Sequence, residues 1–121
     1  YIVYQEGQFR LVSTFDEFRA LYAPIESADE ALSYALATTG LSARYNLKVE
    51  AMRYKVSVLE DTHVEQSGEG FNVHLFYYQL CGCGPHGTSA VQVAVSRSGE
   101  VKQSAKTLLF EDPAQDGLCV D

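Results

Sequence analysis

Apolar side chains recur along this chain with two different periods, and the change of period divides it. In the first third they fall three and four apart. Phe15, Phe18, Leu21 and Tyr22 make one stripe; Ala28, Ala31, Leu32, Ala35 and Leu36 make a second. Each stripe follows a capping box. Thr14 with Glu17, and Ser27 with Glu30, offer a hydroxyl to the third amide and a carboxylate that reaches back to the cap. Pro24 ends the first segment and Gly40 stands where a C-terminal cap belongs, so two helices are expected.

From Tyr54 the period is two. Tyr54, Val56 and Val58 alternate with Lys55 and Ser57, and this strand is expected to run on through His63, Val64 and Glu65. Ser67-Gly68-Glu69-Gly70 makes a turn, after which Phe71, Val73, Leu75 and Tyr77 alternate with Asn72, His74, Phe76 and Tyr78. Ser89 to Ser96 alternates again, and Val101 to Phe110 supplies a last strand after the turn at Arg97 to Glu100. Ahead of the helices, Gln5-Glu6-Gly7 supplies a turn, and Tyr1 to Val12 reads as a short hairpin or a strand with a bulge. Helices first and hairpin-linked strands afterwards predict a single α+β domain over 1–121. The Ala-rich helix should cross one face of an antiparallel meander of four or more strands. This order, over Ser27 to Phe110, resembles the cystatin-like rolls, in which a curved antiparallel sheet wraps a helix. The chain carries none of the loop motifs through which cystatins inhibit cysteine proteases, so the resemblance implies a fold and no site residue.

Composition changes the picture in two ways. At 121 residues, with 46% hydrophobic and 21% charged, the chain can bury roughly two thirds of its unfolded surface without a metal or a dense set of disulfides. Nine basic against sixteen acidic residues give a net charge of -7, which repels phosphate backbones and argues against nucleic-acid binding. No apolar run approaches the roughly 20 residues of a membrane span. The chain opens on Tyr1 rather than Met, as a processed or trimmed product would, and holds no signal segment.

The distinctive segment is Cys81-Gly82-Cys83-Gly84-Pro85-His86-Gly87. Its glycines match G-x-G-x-x-G, but a strand pattern follows where a dinucleotide site needs a helix, and Pro85 lacks an amide. Its sulfurs admit several readings. Cys119 can bond Cys81 or Cys83 and tie down an acidic tail; the choice falls on Cys83, whose flanking Gly82 and Gly84 relax the backbone. Alternatively Cys81, Cys83, His86 and Cys119 can hold zinc, although C-x-C-x-x-H lacks the usual C-x-x-C knuckle. They can also be inert buried thiols, or one can be a reactive thiolate beside His86.

Other constellations are weaker. His86, Ser89 and Asp61 or Asp112 form a nominal triad without a nucleophile elbow. His63 and His74 fall near one another across the Ser67 to Gly70 turn, where a two-histidine metal edge is conceivable and exposed sheet residues are the plainer account. Glu60, Asp61, Glu65 and Glu69 read as a solvated acidic edge. If Phe71, Val73, Leu75 and Tyr77 face the helix, then His74, Phe76 and Tyr78 face the other way and either form a binding surface or are covered by the N-terminal hairpin or first helix. The expectation is therefore a non-catalytic binding or structural domain of a secreted or extracytoplasmic protein, without a cofactor, whose partner is a protein or a small ligand. The alternative is a zinc- or thiol-dependent site at the Cys81 to His86 turn.

Overall fold

Both capping boxes form, and they set the entry to the helical layer. A computed structural model describes residues 1–47 and 50–121. In it, α1 covers Phe15–Tyr22 and α2 covers Ala28–Thr39. Thr14 and Ser27 each accept from the amide three residues on, while Glu17 and Glu30 accept from the amides of the caps. Gly40 closes α2 at φ 68°, a left-handed conformation in which a Cβ would be strained. Before the helices, β1 (Ile2–Gln5) and β2 (Gln8–Leu11) pair as a separate two-stranded hairpin.

The remaining strands are β3 (Arg53–Tyr54), β4 (Val64–Ser67), β5 (Gly70–Tyr78), β6 (Gly82–Cys83), β7 (Gly87–Val95), β8 (Val101–Gln103), β9 (Thr107–Glu111) and β10 (Cys119–Val120). Six of them form one antiparallel sheet in the order β3-β9-β7-β5-β4, with β8 also on β7. The fold is thus α+β, two helices on a large antiparallel sheet. The central pair, β5 and β7, runs in register from Phe71↔Val95 to Tyr78↔Thr88. Ala31 and Ala35 of α2 are fully buried, and α2 lies across β4, β5 and β7. Small side chains here let the helix approach Val73, Leu75, Val91 and Val93, which carry the core on that face.

Two strand expectations change. The alternation Tyr54, Val56, Val58 does not continue a strand: only Arg53 and Tyr54 pair, with Glu111 and Phe110 of β9. The chain then leaves the sheet, turning Val56 and Leu59 inward while Val58 is exposed. The last strand is also split. Val101–Gln103 and Thr107–Glu111 share one edge of β7 in succession. Between them Ser104 continues the ladder to Gln92, its amide donating to the Gln92 carbonyl at 2.9 Å and its hydroxyl accepting the Gln92 backbone amide at 3.0 Å. A register shift at Thr88/Ser89 then lets both Leu109 and Phe110 point inward, which strict alternation forbids.

The sheet is covered on both faces. Opposite the helices, Phe76, Leu109 and Phe110 form a second core beneath Leu47, Met52, Val56 and Leu59. The long connection between α2 and β4 is therefore a structural layer. Its backbone is fastened by Ser42, which exchanges two hydrogen bonds with Phe76, each 2.9 Å, and by Thr62, whose hydroxyl accepts the Arg44 amide.

Candidate functional site

The buried face of β5 settles the fate of the expected binding surface. His74, Phe76 and Tyr78 do point away from the helices, but none of them forms an open surface. Phe76 is 0% exposed, packed under the α2–β4 connection rather than under the N-terminal hairpin or α1. Tyr78 is half-buried and donates its hydroxyl to Gln115 at 2.9 Å, so the C-terminal tail occupies it. His74 is 5% exposed, stacked on His63 with ring centroids 5.0 Å apart. This corrects the reading of the three as an outward patch: the 24-residue connection between α2 and β4 covers Phe76, and its one alternating stretch, Tyr54 to Val58, read as a strand rather than a cover.

The two histidines are cross-strand neighbours as expected, but they stack rather than converge. The amide of Gln92 meets His74 Nδ1 at 2.7 Å, leaving Nε2 buried without a partner. His63 Nδ1 faces the Asp61 carbonyl at 2.8 Å. Burial, and then the charge of His63, pushes the His74 pKa down from the ordinary histidine value; Glu60 pulls weakly the other way. A histidine whose folded pKa is depressed adds full stability above its unfolded pKa, about 6.5, and loses it as pH falls towards the folded value. The thermal midpoint should therefore fall between pH 7.5 and pH 5, and His74→Gln should flatten that decline. An equally steep decline in the variant would assign it to other groups.

Asp61 is structural. Its carboxylate accepts the Leu47 and Asn46 amides at 3.0 and 2.8 Å, and those two bonds hold its pKa below the usual carboxylate range. Asp112 caps a short turn at Pro113–Gln115 by accepting from Ala114. Neither carboxylate bonds to His86, so the nominal triad with Ser89 does not assemble.

At the glycine turn, Cys83 and Cys119 are joined by a disulfide. Cys119 lies directly opposite Cys83 in the two-residue ladder of β6 and β10. With two of the four sulfur and nitrogen ligands joined to each other, the expected zinc set of Cys81, Cys83, His86 and Cys119 is not available in this form. His86 is buried, its Nδ1 2.8 Å from the Gln79 carbonyl and its Nε2 3.2 Å from the Leu118 carbonyl. It acts as a clasp on the tail. Cys81 is free and exposed. No group of three or more His, Cys, Asp or Glu side chains among the described residues is placed to share a metal ion.

A concave site that the sequence did not announce lies between α1, α2 and the start of the chain. It is a cleft of about 530 Å³, a volume ordinary for small-molecule pockets. Phe18, Tyr22, Ile25 and Tyr34 supply its apolar wall, with Tyr1 and Ala37 at one end. Asp29, Glu30 and Ser33 of α2 line its polar side. Phe18 sits at the centre of the aromatic group, its ring centroid 4.6 Å from Tyr22, 5.4 Å from Tyr34 and 5.2 Å from Tyr1. Tyr34 is 3% exposed and donates to the Gly99 carbonyl at 2.9 Å; burial raises its pKa above that of a free tyrosine. Helical periodicity assigned Phe18 and Tyr22 to the core stripe of α1. The signal available in the sequence was their number, since an eight-residue helix with Phe15, Phe18, Leu21 and Tyr22 carries more ring surface than its short face can bury.

No family model matches the chain, and no curated protein or solved structure matches it. No helix among the described residues is long and apolar enough to cross a membrane.

Proposed function

We propose that this chain is a non-catalytic binding domain of an extracytoplasmic protein and that its ligand sits in the cleft between α1 and α2. The observation that carries the reading is the cleft itself. Contiguous aromatic rings, two of them held by burial and one also by the Tyr34 to Gly99 hydrogen bond, border free volume and polar groups there. Phe18 and Tyr34 are fixed, while Tyr22 is 45% exposed and can adjust to an occupant. The Cys83–Cys119 disulfide supports the compartment, because such crosslinks persist where thiols are not kept reduced. The alternative, thiol chemistry at the glycine turn, is supported by one feature, the exposed Cys81 thiol beside that disulfide.

The test is a titration of isotope-labelled protein with benzyl alcohol, benzylamine and benzoate, followed by amide chemical shifts. At least one probe should shift amides of Tyr22, Ile25 and Ser33. Tyr22→Ala should reduce that response by tenfold or more with the fold retained, and Cys81→Ser should leave it unchanged. Shifts scattered over the surface, or none from any probe, would remove the cleft from consideration. Shifts gathered at Cys81 would favour the thiol reading.

A further inference from the structure

Resting on the reading of the cleft as a ligand site, we propose that the group it holds is an organic cation of the alkylated ammonium class. Aromatic faces carry a negative quadrupole potential, and a cation within about 6 Å of a ring centroid is attracted to it. The Phe18, Tyr22 and Tyr34 rings lie 4.6 and 5.4 Å apart by centroid, and all three line the cleft.

The charged side chains around the cleft have one sign, and the Tyr1 α-ammonium at its end is engaged by the Val12 carbonyl at 2.9 Å. Asp29 and Glu30 line it and no basic side chain does. The nearby guanidinium groups are engaged elsewhere: Arg19 with Asp16 at 3.2 Å, Arg97 with Glu26 at 2.7 Å. Of the two lining carboxylates, Glu30 is committed to the cap, one oxygen accepting the Glu26 and Ser27 amides at 2.7 and 3.2 Å. Asp29 accepts no hydrogen bond and makes no ion pair among the described residues. The N-terminal end of α2 opposes a cation, but the capping box answers the Glu30 and Ser27 amides, and the first-turn carboxylates of Asp29 and Glu30 offset the positive end of the helix. The net charge of -7 adds a long-range attraction for cations and repels anions.

The alkylated form is selected by what the wall lacks. A primary ammonium is strongly hydrated and needs acceptors for its three protons. The acceptors are confined to the side formed by Asp29, Glu30 and Ser33; Ile25 and Ala37 offer none, and the Tyr34 and Tyr1 hydroxyls donate to the carbonyls of Gly99 and Ala37. Methyl groups on nitrogen give up water readily, spread the charge and pack on the rings.

The experiment compares choline with 3,3-dimethylbutan-1-ol, which has the same shape with carbon in place of the charged nitrogen, by amide shifts on the labelled chain. Choline should bind the cleft about tenfold more tightly than the alcohol. Asp29→Asn should weaken choline severalfold and leave the alcohol unchanged, while circular dichroism shows α2 intact. Equal affinity for the two overturns the cation proposal, yet a response at Tyr22 and Ser33 would still uphold the cleft as a ligand site. No response to either, together with none to the three benzyl probes, overturns both. Choline bound normally by the Asp29→Asn chain would also overturn the charge argument.

Discussion

Phe76→Ala should destabilise the fold by about 3–5 kcal/mol, the usual cost of deleting a fully buried aromatic side chain. A residue on an open binding face would cost under about 0.5 kcal/mol when shortened, so the measurement separates the two roles of this position. Phe76 is 0% exposed and shares its layer with Leu109 and Phe110. Met52, Val56 and Leu59 lie over it, and none of them is in a strand or a helix. Such a loop cannot close fully over the void, because its backbone is tied by Ser42 to Phe76 and by Asp61 to Asn46 and Leu47. Denaturant unfolding should show a lower midpoint with the slope unchanged. Hydrogen exchange should show faster loss of the Leu47 and Thr62 amides than of those in β7. A loss below about 1 kcal/mol would mean that the connection does not pack on this face.

What could be read in the sequence was local or strictly periodic. The capping boxes at Thr14 and Ser27 are four-residue signals, and both helices begin where they say. The hairpin of β4 and β5 turns at Gly68 and Glu69, with Val73 and Leu75 facing the helices as alternation requires. Long-range features were less legible. Val56 and Leu59 are three apart in an irregular segment, so neither period describes them, and the layer they build had no signature. Tyr54-Val56-Val58 mimicked a strand because the first residue pairs with β9 and the second happens to turn inward. The bulge beside Ser89 depends on register between β7 and β9, which no window of either strand contains. The cleft draws on α1, α2 and the segment between them, and each contributing residue had a sufficient role within its own element. The cysteine turn was the exception among distant features. An acidic tail carrying Cys119 needed a tether, and the other two cysteines both lie in the 81–86 turn.

That tether sets the second large effect. Replacing Cys119 by Ser should lower stability by about 4 kcal/mol in the chain-entropy account of crosslinking, for a sequence separation of 36 residues. For a chain of this size that corresponds to a thermal midpoint roughly 10–20 °C lower. The comparison belongs in a Cys81→Ser background, so that the remaining free thiol cannot form a substitute bond with the turn. The tail has other attachments. Arg53 grips Asp116, Tyr78 donates to Gln115, and His86 and the Gly84 amide both meet the Leu118 carbonyl. The Arg53 hydrogen bond holds the Asp116 pKa low, so that contact persists at neutral pH and weakens only in acid. These are single polar contacts, and once the crosslink is gone they must hold a segment containing Pro113 and Gly117 against its own chain entropy. The expected result is a sheet that still folds while the Leu118 and Cys119 amides lose protection and Tyr78 becomes accessible. Reducing agent should reproduce the shift in the wild-type chain and have no effect on the variant. An unchanged midpoint after verified reduction would show that the polar contacts alone dock the tail.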